Sequence, residues 1–232
     1  MTVSQRHQRQ FFRSISLFSR LSDEALDEVM TGFHVHLVSR DAFLFMEGEE
    51  STSFFIVAAG RARLFKTSSR GREFTITLRH ARQFFDLPPV FDSRPHPVSA
   101  SALTNLRLYV ATLQHIQEMM ARFPALNRML EVHLADMLRR MADVASDLAF
   151  TDVSTRLARL ILVSARNDGR ETPDGVSLEW GLSQSEIAHL LGTAREVVSR
   201  NLRSLEKEGL VERTHSGILI RDWSALEQMA RR

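Results

Sequence analysis

The stretch that most constrains this chain is Leu182 to Leu210, LSQSEIAHLLGTAREVVSRNLRSLEKEGL. Ser183 is an N-cap residue with Glu186 three positions on, the spacing of a capping box. Ile187, Leu190 and Leu191 then recur at helical period. Gly192-Thr193 interrupts the pattern, and a second helix follows from about Ala194 with Val197, Val198, Leu202 and Leu205 as its buried stripe. Gly209 stands where a residue able to adopt a left-handed conformation ends a helix. Two short helices joined by a tight, glycine-containing turn make a helix-turn-helix unit.

The polar face of the second helix carries the chemistry. Arg195, Ser199 and Arg203 fall at i, i+4 and i+8, with Glu196 and Arg200 beside them. One reading is a solvated face laced by an i,i+4 pair from Glu196 to Arg200. The other is a helix entering a major groove, where arginine forks to guanine O6 and N7 and glutamate accepts from cytosine N4. Charge alone favours the first reading; the preceding helix and turn move the balance to double-stranded DNA.

Gly-Thr-Ala-Arg195-Glu196-Val-Val-Ser199-Arg200, followed by Leu-Glu-Lys-Glu-Gly-Leu, resembles the CRP/FNR family of bacterial transcription regulators, and the likeness extends over nearly all 232 residues. The resemblance implies a homodimer reading a two-fold symmetric site. Arg195, Glu196 and Arg200 would read base edges, with Ser199 on a thymine or the backbone, while Gln184, Ser185, Thr193 and Arg203 hold phosphates. Arg195 matches the cyclic-AMP branch and Ser199 the other, which implies half-sites like TGTGA or TTGA. RNA polymerase is a further partner if the regulator activates.

Upstream, Ser22 with Asp23 and Glu24 opens a helix after a short helical pattern from Phe11. The period then shifts towards two, predicting strands at 33–38, 43–46, 54–58, 61–66, 73–78, 98–102 and 106–111, separated by turn residues. Phe43-Leu-Phe-Met-Glu-Gly-Glu and Phe54-Phe-Ile-Val-Ala-Ala-Gly resemble the β-roll of cyclic-nucleotide-binding-like domains. Thr112 to Arg122 reads as a helix, and Pro124 can open the next. Leu130, Leu134, Met137, Met141, Val144 and Leu148 then step by 4, 3, 4, 3 and 4, an a/d seam predicting dimerisation. Phe150-Thr151-Asp152 breaks the stripe, and the resemblance makes it a hinge.

A helix restarts over Val153 to Ser164, a turn-dense loop covers Asn167 to Gly175, and a short strand spans Val176 to Trp180. A hairpin wing turns at His215-Ser216-Gly217, and Trp223 begins a last helix. The expected fold is α+β: an antiparallel β-roll sensor (1–123), a dimerisation helix and hinge (124–150) and a winged helix-turn-helix (151–232).

Composition sets limits on the chemistry. Cysteine is absent, which excludes disulfides and cysteine-ligated iron–sulfur clusters. No apolar run reaches membrane-span length, and the polar, basic N-terminus lacks a secretion signal's apolar core, so a cytoplasmic protein without membrane attachment is expected. From Thr151 to Arg232 there are 12 Lys+Arg and 12 Asp+Glu, so the case for DNA rests on where charges sit.

Family members that bind cyclic nucleotides carry Phe-Gly-Glu-Leu and Arg-Ser-Ala. Here the matching positions read Phe84-Phe85-Asp86-Leu87 and His96-Pro97-Val98. A phenylalanine replaces the glycine, a proline removes an N–H, and a histidine replaces the arginine, which argues against cyclic AMP. Pro95-His96-Pro97-Val98-Ser99-Ala100 looks like a segment of the nitric-oxide-responsive haem subgroup, with His96 or His133 as candidate axial ligand. A different pocket ligand, or none, is the alternative. From another class, His34 and His36 on one strand face resemble a cupin's His-x-His, the start of a metal enzyme. A third histidine and a strand carboxylate are missing, no nucleophile motif or P-loop is found, and a non-enzyme is expected.

Overall fold

The computed structural model describes residues 3–215 and 217–231, the side chains of residues 3–5 excepted. The chain forms two compact units, Met1–Ser68 with Ile76–Arg140 and Ser69–Thr75 with Met141–Arg232. The expected wing-turn position Ser216 lies outside the described residues.

In the first unit the period-two segments become β1 (His34–Val38), β2 (Phe43–Phe45), β3 (Ser53–Ala59), β4 (Ala62–Thr67), β5 (Glu73–Arg79, whose first residues belong to the second unit), β6 (Phe84–Phe85), β7 (Ser99–Ala102) and β8 (Leu106–Thr112). Among the described residues they make two four-stranded antiparallel sheets, ordered β1-β8-β3-β6 and β2-β7-β4-β5. Helices α1 (Val3–Arg13), α2 (Asp23–Met30), α3 (Pro88–Asp92), α4 (Leu113–Arg122) and α5 (Pro124–Phe150) accompany them. Local chemistry sets their starts. Ser22 Oγ accepts from Ala25 N at 3.2 Å and Thr112 Oγ1 from His115 N at 3.1 Å, each capping an orphan donor of α2 and α4.

Sequence pattern missed two short elements here and misplaced one start. Two-residue β6 is too short for any period to register. Pro88-Pro89 reads as a loop signal, yet its fixed φ suits the first turn of α3. The first helix begins at Val3, well before Phe11. In the second unit the turn-dense loop contains a strand, β9 (Arg170–Thr172), which is fully exposed and so has no apolar alternation to betray it.

That second unit continues from α6 (Val153–Asp168) and β9 to β10 (Gly175–Leu178), α7 (Gln184–Leu191), α8 (Arg195–Lys207), β11 (Val211–Arg213), β12 (Ile218–Ile220) and α9 (Trp223–Ala230). Its strands order as β11-β12-β10-β9. Gly175, with φ +134°, passes so close to the Ile220 carbonyl that a Cβ would stand 2.0 Å from its oxygen, so only glycine fits between those strands. Leu157, Ile161, Trp180, Ile187, Val198, Leu202 and Leu226 fill the core beneath.

Two cores serve the first unit. Phe12, Phe18, Phe33 and Phe54 pack with α2, α4 and the start of α5, while Phe45, Val57, Leu64, Phe85 and Leu108 fill the roll interior. The residues expected to form a seam along α5 are unevenly covered, and Leu148 is 42% exposed. Leu130 is fully buried in the first core, so its side chain is not free to meet a second chain, and half-buried Leu134 packs against that core. Val144 and Leu148 line a cavity of about 230 Å³ with Phe74, Leu160, Leu190 and Leu191 of their own unit. Met137 and Met141 are half-buried. The uncovered stripe lies one flank over: Ala135, Leu138, Ala142, Ala145 and Ala149, stepping by 3, 4, 3 and 4, are all exposed, and Leu138 is 72% so. Among the described residues no helix is long and apolar enough to cross a membrane.

Candidate nucleic-acid interface

The helix-turn-helix forms as its punctuation dictates. Ser183 Oγ accepts from Glu186 N at 3.2 Å, and the Glu186 carboxylate accepts from Ser183 N at 2.5 Å, a complete capping box at the head of α7. Gly192 ends α7 in the left-handed region, φ +64°, which an L side chain adopts at a cost. A Cβ there would also crowd Leu148 and Phe74 at 3.1 and 3.3 Å.

α8 buries Val198, Leu202 and Leu205 and turns Arg195, Glu196, Arg200 and Arg203 to solvent, with Ser199 and Val197 half-buried. No ion pair forms from Glu196 to Arg200, and among the described residues Arg195, Glu196 and Arg200 have no hydrogen-bond or ion-pair partner. The donors and acceptor on the leading turns are therefore unengaged by their own chain. Of the residues expected at phosphates, Ser185 is exposed while Gln184 and Thr193 are half-buried at the ends of α7 and the turn.

The far end of α8 is tied to the wing. Glu206 accepts from Arg213 Nε at 2.8 Å and from the Arg213 backbone N at 3.1 Å, which holds the carboxylate below its usual range. Asp152, cap of α6, accepts from Thr155 N at 2.7 Å and is lowered for the same kind of reason, first by that backbone bond. Both groups have folded-state values depressed below the unfolded ones. Their stabilisation is present above the ordinary carboxylate range and is lost as pH falls through the depressed values. The unfolding free energy should thus decline from about pH 5 downward. Asp152→Ala should remove about 1 kcal/mol at neutral pH and flatten part of that slope, measured by urea unfolding across pH.

Sequence reasoning missed Arg156. It donates to the carbonyls of Asp147 (3.1 Å) and Thr151 at the end of α5, and to that of Leu191 (3.2 Å) at the end of α7. Arg159 pairs with Asp147 and donates to the Ala230 carbonyl at 2.6 Å. Two arginines thus staple the hinge segment to both ends of the reading unit. No pattern in the sequence marks them, since their partners are backbone carbonyls distant along the chain. At the hinge itself, Thr151 Oγ1 donates to Asp147 at 3.3 Å, and Phe150 is 88% exposed.

The sensor positions separate onto two sides of the roll. Phe84 faces α5, its ring 4.3 Å from that of His133. Phe85 faces the interior, stacked on Phe55 at 5.1 Å between centroids and beside Phe45. Asp86 and His96 are buried there, Asp86 Oδ2 lying 2.8 Å from His96 Nδ1 and accepting from Ser51 Oγ at 2.7 Å. Burial raises the Asp86 carboxyl, opposed by its bonds to His96 and Ser51. The His96 ring lies flat on Phe45, 3.7 Å away and inclined by 8°. Pro97 is exposed.

The two histidines expected as candidate haem ligands lie in different surroundings. His96 is buried, with one ring face on Phe45 and Nδ1 beside the Asp86 carboxylate. His133 lines a cavity of about 330 Å³ together with arginines, a setting for a polar ligand. The cupin-like pair is the alternative reading, and the family models that match the chain do not favour it. His34 and His36 are exposed on edge strand β1, Glu47 pairs with Lys66, and no group of three or more metal-binding side chains occurs among the described residues.

Residues 35–123 match the model of the cyclic nucleotide-binding domain, and residues 155–229 that of the Crp-like helix-turn-helix domain. A CRP-like cAMP-activated global transcriptional regulator of Mycobacterium tuberculosis is 29% identical over 188 residues, covering 81% of this chain and 84% of that protein. The cyclic AMP receptor protein of Thermus thermophilus is 29% identical over 215 residues, 92% of this chain and 96% of that one. Among solved structures, a CooA mutant from Carboxydothermus hydrogenoformans superposes with a TM-score of 0.75 at 27% identity, over 94% of this chain and all of that one. With both domain models matched in order, and a reading helix of the required form, the chain belongs to the CRP/FNR family and is a DNA-binding transcription regulator.

Proposed function

We propose that two copies of this chain grip a two-fold symmetric operator, each laying α8 into a major groove. The observation that carries this reading is the unpartnered state of the Arg195, Glu196 and Arg200 side chains on the leading turns of a helix whose far end is tied to the wing. These three read base edges, Ser199 meets a thymine or the backbone, and Gln184, Ser185, Thr193 and Arg203 hold phosphates. Pairing runs along the exposed flank of α5, around Leu138, where alanines allow close helix approach. Hydroxyl-radical footprinting of the full chain on operator fragments should give two protected patches about one helical turn apart, related by symmetry. A lone patch, or protection without sequence preference, overturns the reading.

The signal acting on the sensor is a small ligand other than a cyclic nucleotide. The Mycobacterium and Thermus relatives are named for cyclic AMP, but here Phe85 occupies the position of a pocket glycine and is stacked within the roll. Asp86 is buried, its Oδ2 accepting from Ser51 at 2.7 Å and lying 2.8 Å from His96 Nδ1, while its Oδ1 has no hydrogen-bond partner among the described residues.

A further inference from the structure

β5, the turn after it and α5 enclose the cavity of about 330 Å³ on the outer side of the roll, away from Asp86 and His96. Its charged lining has one sign. Arg79, Arg82 and Arg140 contribute guanidinium groups, and neither Asp nor Glu is among the lining residues. Arg79 Nη1 donates to Thr77 Oγ1 at 3.0 Å, but its buried Nε has no hydrogen-bond partner among the described residues. Burial and the Arg140 charge lower Arg79 to about 10; burial and the charges of Arg79 and Arg140 push His133 down to about 4. Asp136, which acts on His133 in the opposite sense, is itself bonded to exposed Arg139 at 2.9 Å.

Converging guanidinium groups beside a neutral imidazole repel one another, and a buried N–H without a partner adds to the cost. A chain gains nothing from such an arrangement unless an anion completes it. We propose that this cavity is the effector site, and that the effector is a small organic oxyanion carrying at least two negative charges. Guanidinium forks from Arg79, Arg82 and Arg140 match carboxylate or phosphoryl oxygens, and Thr77 and His133 add hydrogen-bonding groups. Arg140 is the last residue of the first unit, and Met141, next along the same helix, belongs to the second. A ligand that draws Arg140 against β5 therefore acts on the helix both units share. The assignment of effector role rests on the regulator reading; anion binding itself does not.

The test is thermal unfolding of the full chain with citrate and, separately, inorganic pyrophosphate, at constant ionic strength set with sodium chloride. At a hundred-fold excess over Kd the midpoint should rise by about 5–10 °C in the unaltered chain. Arg140→Gln and Arg82→Gln, both at exposed positions, should each remove most of that rise. A response to one probe alone supports the site and tells a phosphoryl ligand from a carboxylate one. By proton NMR, Arg140→Gln should also move His133 upward towards its ordinary value. An absent rise with both probes, an equal rise in Arg140→Gln, or an unmoved His133 overturns the proposal. Footprinting separates the two failures: anion binding without a two-patch footprint breaks the regulator reading and leaves the site, and the converse breaks the site alone.

Discussion

Leu138→Asp should yield a folded monomer that has lost operator binding. Leu138 is 72% exposed on the chain itself, so an aspartate there disturbs no packed core and leaves the unfolding midpoint nearly unchanged. In a pair of α5 helices, however, it would place two carboxylates in an apolar seam, each desolvated without a counter-ion. The pair would come apart, and with it the two-handed grip. A single head loses the additive contact with the second half-site, so affinity should fall by at least two orders of magnitude, as each 1.4 kcal/mol is tenfold. Sedimentation velocity and mobility shift on the same preparation check both halves of the statement. Leu130→Asp makes the contrast: that side chain is fully buried in the first unit, so its replacement should unfold the sensor. A Leu138→Asp protein that sediments as a dimer and binds normally removes this flank from the mechanism.

Arg200→Ala should cost about 1–3 kcal/mol of operator affinity and relax preference at one guanine while leaving the rest of the site intact. The magnitude follows from losing one bidentate pair without burying an orphan, since Arg200 is exposed and makes no bond within its own chain. Arg203→Ala supplies the comparison. A phosphate contact weakens all sequences alike and lowers the salt slope by about one. Binding measured against a randomised half-site at several salt concentrations distinguishes the two behaviours. If Arg200→Ala weakens every sequence equally, its guanidinium holds a phosphate, and base reading shifts to Arg195 and Glu196.

The reading head was legible because its signals are local. Ser183 and Glu186, Gly192 and the Val198–Leu202–Leu205 stripe each need only a few neighbouring residues to be interpreted, and the structure realises all of them. The long helix shows where locality fails. Leu130 to Leu148 has a flawless heptad period, but period cannot say whether a stripe meets its own chain or another. Leu130 at the head of the stripe is taken into the first core, the residues after it are half-buried, and Leu148 and the alanine flank are exposed. Charge convergence was similarly hidden. Arg79, Arg82 and Arg140 lie on three segments, and no composition count shows them sharing a wall. The departures at Phe85 and His96 were visible as substitutions, whereas the aromatic stack they build required coordinates.

That stack has a consequence for how such a sensor works. A receptor whose barrel holds a large void relies on its guest to finish its interior, and reports the guest by ordering itself. Here Phe45, Phe55, Phe85 and His96 stack into that interior and take up room that a guest would use. On the proposal of an anion held by Arg79, Arg82 and Arg140, information enters from outside the wall, by tugging on what leans against it.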